Sequence, residues 1–450
     1  MKPVQTGGGA EQTWLPTMSP KLLKVVERAK RDPEARFHSL AHLLDAEALK
    51  RAFRRIRKDA AVGVDGISKE MYEQDLDDNI RVLLERLRSK KYRHQPIRRV
   101  HIPKAPGKTR PIGVSCIEDK IVQGALQELL EAIYEQDFLD CSYGFRKERS
   151  AHDALRAVDR MVFREGIGWI LEADIQAYFD SLVRSRLKEI LQKRVVDGSI
   201  LRLVAKCLHV GVLDGEEYTK PDEGTAQGSA LSPLLGNVYL HDVLDLWFET
   251  EVKPELAGHA KLIRYADDFL IGFQHKADAE RVMELLHRRM AAYGLTLHPD
   301  KTQLIPFRRP PRTQKKGKGP ATFDFLGFTL YWHRSHKGGW RVGMKTRKAR
   351  VQRAVVSISE WCMGHMHWSR KDQRASLERR LIGHYRYFGV SGNMRSLRYV
   401  RQQVERQWLR ALRSRGQRAR RLTWQRFKRY LKAFPLPRPR IYVQIWGATP

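Results

Sequence analysis

The hydrophobic positions of the chain follow two spacings, and each spacing predicts a different kind of element. Residues 22–26, 43–56 and 72–87 carry apolar side chains at helical intervals and predict three helices near the start of the chain. A Gly-Val-Asp-Gly turn at 63–66 separates the second helix from the third. Residues 1–20 show neither spacing, so we expect a disordered lead without a signal peptide.

Apolar runs bounded by turn residues predict strands further along the chain. Residues 98–104 and 109–114 form a predicted hairpin, and residues 118–138 form a long amphipathic helix. Further predicted elements are a buried strand at 169–174, a hairpin at 261–273, a helix at 277–293 closed by Gly294, and strands at 295–306 and 323–328. A Gly/Ser-rich loop at 224–233 opens another helix, which we expect to run to about residue 248.

Composition adds a polyanionic partner to this picture. The 450 residues exceed one compact core, so two or three domains are expected. The excess of 84 Lys and Arg over 51 Asp and Glu, a formal charge of +33, favours nucleic acid, with a membrane surface as the alternative. No run of eighteen apolar residues predicts a membrane span. The four cysteines lie far apart, which is typical of reduced core thiols in a cytosolic protein rather than disulfides or a zinc site.

Three carboxylates carry the candidate chemistry. Asp267 and Asp268 occupy the turn of the 261–273 hairpin, where a divalent metal would offset the cost of two acids beside an apolar sheet. Taken alone, the pair also suits an ordinary Asp-rich turn. Asp174 ends an apolar strand, a position that suits a metal ligand and equally a helix N-cap.

Two loops suit phosphate recognition. Lys104 and Arg110 flank the tip of the basic hairpin as a triphosphate clamp would, although a solvated surface turn has the same composition. Small residues in the 224–233 loop allow a backbone to approach a nucleotide closely, and the helix start that follows favours phosphate.

The C-terminal region is the most basic part of the chain. Residues 369–440 contain 22 Lys and Arg against three acidic residues, with aromatic residues among them. A basic helical face suits a duplex or structured RNA, and for most of the aromatic residues we prefer core packing. The candidate RNA contacts are Arg413, Arg415, Arg418, Arg420 and Arg421.

The three acids together suit a polymerase. Asp174, Asp267 and Asp268 could hold two Mg²⁺ ions, which lower the pKa of an attacking 3′-hydroxyl and stabilise the leaving pyrophosphate. A basic hairpin before them and a Gly-rich loop between them complete the parts that phosphoryl transfer needs.

The order of these segments resembles the reverse-transcriptase domain of group II intron-encoded proteins, the intron maturases. The resemblance runs from about residue 40 to the end, in a form without the homing-endonuclease domain of some relatives. The matching segments are 63–66, 102–111, 142–146, 173–180, 224–233, 265–268, 301–302 and 325–328, followed by 383–393 and 424–440.

This resemblance implies an α+β right-hand polymerase. A disordered lead and helical extension would occupy 1–90, fingers and palm 91–335, and a helical thumb or maturase domain 345–450. It also implies an RNA-directed DNA polymerase of a cytoplasmic, bacterial-type ribonucleoprotein, whose partners are an RNA template and primer, dNTPs, intron RNA and a DNA target.

The same resemblance assigns the site residues. Asp174, Asp267 and Asp268, with the carbonyl of Ile175, would bind two Mg²⁺ ions, with Mn²⁺ as a possible substitute. Lys104 and Arg110 would hold the triphosphate, Gln227 would border the nucleotide pocket, and Phe179 would exclude a ribose 2′-hydroxyl.

Two other functions fit the same sequence. One is an RNA-binding splicing cofactor that does not depend on polymerisation, which the intact set of three acids argues against. The other is a domesticated reverse transcriptase in DNA repair or CRISPR spacer acquisition, which would share every catalytic residue.

Overall fold

The computed structural model describes residues 18–105, 108–214, 217–219, 228–311, 321–335 and 338–446, with the backbone alone at 103–105, 108 and 110. The lead predicted at 1–20 therefore lies almost wholly outside the described residues. The helices are α1 (Pro20–Arg31), α2 (Ala46–Arg55), α3 (Lys69–Gln74), α4 (Leu76–Arg88), α5 (Ile117–Asp137), α6 (Ala151–Arg164), α7 (Arg184–Gln192), α8 (Gly198–Leu208), α9 (Ser232–Leu240), α10 (Lys276–Ala292), α11 (Lys348–Gly364), α12 (Arg370–Phe388), α13 (Met394–Arg413), α14 (Gln417–Arg420) and α15 (Trp424–Ala433).

The strands form three sheets. They are β1 (Ile97–Ala105), β2 (Lys108–Val114), β3 (Trp169–Asp174), β4 (Val212–Asp214), β5 (Glu217–Thr219), β6 (Ala260–Tyr265), β7 (Asp268–Phe273), β8 (Gln303–Pro306), β9 (Phe323–Phe325), β10 (Phe328–Arg334) and β11 (Trp340–Thr346). The sheet orders are β2-β1-β4-β5, β6-β7-β3-β8 and β11-β10-β9. The mixture of helix and sheet confirms the α+β class.

The described residues fall into two compact units. The first comprises Met1–Ser150, Leu171–Ile271 and Lys276–Gln303, and the second comprises Ala151–Ile170, Gly272–His275 and Leu304–Pro450. The three-part division predicted from the resemblance stays a prediction. No described helix combines the length and apolar content that a bilayer span requires.

Both predicted hairpins are present. β1 and β2 pair antiparallel, with Ile102 opposite Arg110, and the apolar runs on either side of residues 265–268 form β6 and β7. Gly294, two residues after the end of α10, has a φ of +72°, as a helix-ending glycine should.

Three predicted elements differ in extent. The third early helix is divided at Asp75, whose backbone leaves the helical region, into α3 and α4. The helix expected to reach about residue 248 consists of α9 and a wider π-helical stretch, His241–Val252. The strand expected at 295–306 is limited to β8, because a 3-10 turn at Pro299–Lys301 interrupts it and Pro299 has no N–H for a ladder.

Helix α5 lies at the centre of the first unit and is buried on most of its surface, not amphipathic as expected. Its buried Glu128 accepts hydrogen bonds from Arg55 Nη2 at 2.9 Å and Arg51 Nε at 3.4 Å. Its buried Asp119 accepts one from the Tyr92 hydroxyl at 2.6 Å. In the sequence these acids suggest that one side of the helix faces solvent. Hydrogen-bonding partners from distant segments make it possible to bury them instead.

The second unit has its own core, built mainly from α11, α12, α13 and α15. Trp408, Tyr385 and Phe427 are fully buried there, which confirms core packing for these three aromatic residues. The buried Gln373 accepts a hydrogen bond from Trp408 Nε1 at 2.8 Å and donates to the His365 carbonyl at 2.6 Å. All four cysteines are free thiols, and Cys116, Cys207 and Cys362 are buried.

Candidate active site

Two of the three predicted acids meet at the edge of a sheet. Asp174 is the last residue of β3, and Asp268 is the first residue of β7, the strand next to β3. Their side chains are in hydrogen-bonding contact. The sheet therefore brings together residues 94 positions apart in the sequence, and Asp267 lies in the turn directly before Asp268.

This crowding changes the acidity of Asp268. Asp268 is exposed as a residue, yet the loss of water around its carboxyl group is the largest effect that raises its pKa. The hydrogen bond to Asp174 and the charge of Asp267 raise it further, to about 7, against a smaller opposing effect of Lys301. Lys301 forms an ion pair with Asp174. The site is thus an acid cluster with more negative charge than one lysine offsets.

The arrangement fits a divalent cation in its donor chemistry. Carboxylate oxygens are the ligands that Mg²⁺ prefers, and crowded acids favour a cation that neutralises them. Among the residues described here, no three His, Cys, Asp or Glu side chains already stand as a complete metal-binding group. The assignment of Asp174, Asp267 and Asp268 as joint metal ligands therefore stays a prediction.

The backbone around Asp174 is held in place by the chain after α10. The Asp174 carbonyl accepts a hydrogen bond from His298 N at 2.8 Å, and Gln176 N donates to the Thr296 carbonyl at 2.8 Å. Ile175, between them, forms an antiparallel bridge with Leu297 and is buried. This is the residue whose carbonyl is predicted to assist metal binding.

Phe179 lies in the turn that follows. Its ring is half-buried against Tyr178, with the two ring centroids 5.2 Å apart. The Tyr178 hydroxyl donates to the Gly236 carbonyl at 2.5 Å. A Cβ on Gly236 would lie 3.1 Å from the Tyr178 ring and 3.2 Å from the Phe179 ring, so the glycine makes room for both.

Three predicted nucleotide contacts lie outside the described side chains. Lys104 belongs to β1 and Arg110 to β2, on paired strands of one hairpin, and Gln227 precedes the described end of its loop. Gly228, the first described residue of the 224–233 loop, lies close to the hairpin. A Cβ on this glycine, whose φ is +111°, would be 2.2 Å from the Gly113 carbonyl oxygen of β2. The loop and the hairpin are therefore neighbours, as a shared nucleotide pocket requires.

A buried arginine supports the turn that carries the acids. Arg264, the penultimate residue of β6, is fully buried, and both ends of its guanidinium bind Asp245, at 2.8 Å from Nε and 2.6 Å from Nη2. Its remaining hydrogen bonds go to Asn237 Oδ1 (2.9 Å), Ser142 Oγ (2.8 Å) and the carbonyl of Ala266 (3.2 Å). The last bond reaches the acidic turn itself, so Arg264 connects the turn to two other segments.

The loop at 142–146 packs directly on the same turn. The Tyr143 N–H donates to the Arg264 carbonyl at 2.8 Å, and Asn237 Nδ2 donates to the Gly144 carbonyl at 2.7 Å. A Cβ on Gly144 would lie 2.3 Å from the backbone nitrogen of Ala266. Only glycine allows this close approach, so we expect the 142–146 segment to fix the position of the turn that carries Asp267 and Asp268.

Comparison with known proteins identifies the family. A family model described as "Reverse transcriptase (RNA-dependent DNA polymerase)" matches residues 102–330, half of the chain. Protein YkfC of Escherichia coli (strain K12) is 33% identical over 374 residues, which cover 75% of this chain and 94% of that protein. The chain belongs to the reverse transcriptase family.

Intron proteins are among the relatives of this reverse transcriptase. The group II intron-encoded protein LtrA of Lactococcus lactis subsp. cremoris is 34% identical over 43% of the chain, and the alignment spans 32% of LtrA. The Arabidopsis thaliana protein named nuclear intron maturase 2, mitochondrial, is 32% identical over 30% of the chain and 24% of its own length. The resemblance to group II intron reverse transcriptases and maturases is thus confirmed.

The predicted RNA-contacting arginines of this reverse transcriptase differ in their surroundings. Arg413, Arg418, Arg420 and Arg421 are exposed. Arg415 is half-buried, and its Nη2 donates to the Trp368 carbonyl at 2.6 Å. Their contacts to RNA stay a prediction, but Arg415 already has a structural partner.

Sequence reasoning gave no role to the residues that support the site. Arg264 is a cation inside an apolar strand, and that position alone predicts a buried acidic partner. Nothing in the spacing identifies Asp245 as this partner, because it lies in the π-helical stretch. Lys301 belongs to a segment noted for its resemblance, and its pairing with Asp174 appears only in the fold.

Proposed function

We propose that this protein is an RNA-directed DNA polymerase in which Asp174, Asp267, Asp268 and the Ile175 carbonyl hold two Mg²⁺ ions. The observation that carries the proposal is the contact between Asp174 and Asp268, with the pKa of Asp268 raised to about 7. When bound, the metal ions lower the pKa of the primer 3′-hydroxyl and stabilise the leaving pyrophosphate. Mn²⁺ has the same ligand preference and should substitute.

The protein's own residues orient this chemistry. Arg264, fixed by Asp245, Asn237 and Ser142, holds the turn that carries Asp267 and Asp268. The Lys301 ammonium forms an ion pair with Asp174 and offsets part of the negative charge of the acid cluster. Most of the rate enhancement in phosphoryl transfer comes from such positioning and charge neutralisation, so these supports matter to catalysis.

Selection of the incoming nucleotide falls to two paired strands and two loops. Lys104 and Arg110 would hold the triphosphate, and Gln227 would border the pocket. Phe179 would stand where a ribose 2′-hydroxyl lies. The packing of Tyr178 against Phe179, together with the Tyr178–Gly236 hydrogen bond, supports a fixed ring that excludes ribonucleotides by contact.

The family also supports a right-hand polymerase with fingers and palm at 91–335 and a thumb at 345–450. The names of the relatives support an intron-encoded role. In this role the protein would bind group II intron RNA, assist splicing and copy RNA at a DNA target. The charge of +33 is consistent with RNA as partner in a cytoplasmic ribonucleoprotein.

Primer extension tests the polymerase. Wild type should extend a DNA primer on an RNA template with dNTPs and Mg²⁺, and Asp267→Asn/Asp268→Asn should lose extension by at least about 1000-fold while keeping RNA affinity, since the acids act on the reaction. Extension by the double variant at the wild-type rate would contradict the metal assignment.

The nucleotide gate has its own test. Phe179→Val should let the enzyme extend with rNTPs, raising their use relative to dNTPs by about 10-fold or more, because the smaller side chain leaves space for the 2′-hydroxyl. Phe179→Tyr, which keeps an aromatic ring at the same position, serves as the control. An unchanged dNTP/rNTP ratio in Phe179→Val would remove Phe179 from the gate.

A splicing cofactor independent of polymerisation is the second candidate. The Lys301–Asp174 ion pair favours it, because this pair occupies a carboxylate that a metal would need. Splicing and primer-extension assays on the wild-type protein distinguish the two. Splicing without extension in wild type would favour the cofactor, whereas extension in wild type supports the polymerase.

A further inference from the structure

A recess in the second unit combines four arginines with an aromatic ring. It has a volume of about 520 Å³ and lies at the end of α13. Its walls include Arg406, Leu409, Arg410, Arg413, Arg420 and Trp424, and we call it the arginine recess. The volume falls in the range of small-ligand sites in proteins.

Helix geometry explains why the cations converge. Arg406, Arg410 and Arg413 follow one another at intervals of four and three residues, which places them on one face of α13. Arg420 comes from α14, and Trp424 is the first residue of α15. Three consecutive elements therefore contribute to one site.

These four arginines have no acidic partner in the part of the chain that the structure describes. Each is exposed, and none of them forms an ion pair there. Glu405, the acid next to Arg406 in the sequence, forms an ion pair with Arg401, with 3.1 Å between Arg401 Nε and Glu405 Oε1. Like charges gathered without a counter-charge repel one another, so the recess is suited to an external anion.

The apolar wall narrows the class of anion. Trp424 is half-buried beside Phe427, with ring centroids 5.9 Å apart, and Leu409 adds an aliphatic surface. A phosphate group alone does not need an aromatic wall. A nucleotide uses both the arginines and the aromatic wall, since guanidinium groups bind its phosphate and an aromatic side chain stacks on its base.

We propose that the arginine recess binds one unpaired nucleotide of RNA, with its phosphate on the arginines and its base against Trp424. A paired base is stacked inside its helix and cannot reach a side-chain platform, whereas a bulged or looped base can. The proposal rests on the proposed RNA binding and adds to it: this part of the protein distinguishes RNA with a protruding nucleotide from a fully paired stem.

Two RNA hairpins test this inference. They are identical except for one extra unpaired nucleotide in the stem of the second, and binding to full-length protein is followed by fluorescence anisotropy. Wild type should bind the bulged hairpin about 10-fold more tightly, a preference within the range of one base–aromatic stack. Arg410→Ala/Arg413→Ala should lose this preference.

The matched control is Arg418→Ala/Arg421→Ala, which removes the same charge from the same basic tract outside the recess wall. It should weaken binding to both hairpins equally and keep their ratio. Equal loss of preference in both double variants would overturn the proposal, because general charge would then explain it.

Two further measurements distinguish the phosphate contact from the base contact: the salt dependence of binding and substitution of Trp424. Arg410→Ala/Arg413→Ala should reduce the slope of log affinity against log salt by about 1 to 2. Trp424→Leu should abolish the preference without changing the slope, and Trp424→Phe, which keeps a ring, should retain it. Thermal melts of each variant establish that the fold is intact.

Failure of this inference differs from failure of the proposed function. Equal binding of both hairpins by wild type would overturn the recess, while primer extension could still establish the polymerase. Loss of preference in Trp424→Leu and Arg410→Ala/Arg413→Ala, but not in the control, would support the recess even if extension were absent.

Discussion

Arg264 and the arginines of the recess show two opposite uses of the same side chain. Arg264 is fully buried and makes five hydrogen bonds to Asp245, Asn237, Ser142 and Ala266. Arg410 and its neighbours in the recess are exposed and have no acidic partner among the described residues. The first arrangement holds the turn that carries Asp267 and Asp268 in one position. The second leaves charge available for a ligand.

The comparison shows that net charge alone does not locate a binding surface. A buried ion pair is costly to break because the remaining charge cannot reach water, whereas an exposed arginine contributes little to stability. Cations with satisfied partners should therefore matter for folding, and cations without them should matter for binding. Four predictions contrast the buried supports of the acidic turn with the exposed recess, in order of decreasing effect.

Removal of Arg264 should have the largest effect. Arg264→Leu leaves Asp245 charged and buried, which should lower the free energy of unfolding by about 3 to 5 kcal/mol in chemical denaturation. Arg264→Leu/Asp245→Leu removes both charges and should recover part of this loss. Arg288→Leu, on an exposed side chain, is the control and should stay within about 0.5 kcal/mol of wild type. An equal loss of stability in Arg264→Leu and Arg288→Leu would contradict the distinction between buried, paired arginines and exposed ones.

Acid should weaken the same buried network. His241, whose Nδ1 lies 4.0 Å from Asp245, is buried, and this burial lowers its pKa from 6.5 to about 4. Between these two values the unfolded chain binds a proton that the folded protein does not, so stability present above pH 6.5 is lost toward pH 4, by up to about 3 kcal/mol.

Melting temperatures at pH 7.5 and pH 5 measure this loss. His241→Gln should lose less stability than wild type between the two values, although it starts lower. His287→Gln, at an exposed position of α10, should follow the wild-type pH profile. Parallel profiles for wild type and His241→Gln would exclude His241 as the source.

Substitution of Gly144 should act on catalysis with a smaller cost in stability. Gly144→Ala places a methyl group 2.3 Å from the Ala266 backbone nitrogen, so the acidic turn must shift, at a cost of about 1 to 3 kcal/mol. A displacement of this kind should reduce primer extension by about 100-fold. Gly198→Ala is the control, because its added Cβ meets nothing within 4 Å, and it should change neither quantity much.

The sequence predicted the elements of the site better than their supports. The hairpin of β6 and β7 follows from two apolar runs around a polar turn, and the strand ending in Asp174 follows from the same local pattern. The contact between Asp174 and Asp268 depends on β3 lying next to β7, which local periodicity does not determine. The resemblance supplied this expectation because the order of its motifs is specific.

The supports were missed because their partners are distant in sequence. Asp245 looks like one acid of an exposed helical face, yet it is buried with Arg264, 19 residues away. Glu128 lies in a helix predicted to be amphipathic, and Arg51 and Arg55, more than 70 residues away, make its burial possible. A charged residue on an apolar face reveals that a partner exists, but only the fold reveals which residue it is.

The smallest predicted effect concerns the stability of the recess itself. Since Arg406, Arg410, Arg413 and Arg420 repel one another without a counter-charge, Arg410→Ala should leave the melting temperature unchanged or raise it slightly, by about 0.5 kcal/mol or less in free energy. The gain should be largest at low salt, because salt screens the repulsion in wild type. Arg401→Ala, which breaks the ion pair with Glu405 on the same helix, should instead lower the melting temperature. A fall in melting temperature of similar size in both variants would mean that Arg410 stabilises the fold. That result would contradict the inference that the recess binds a ligand.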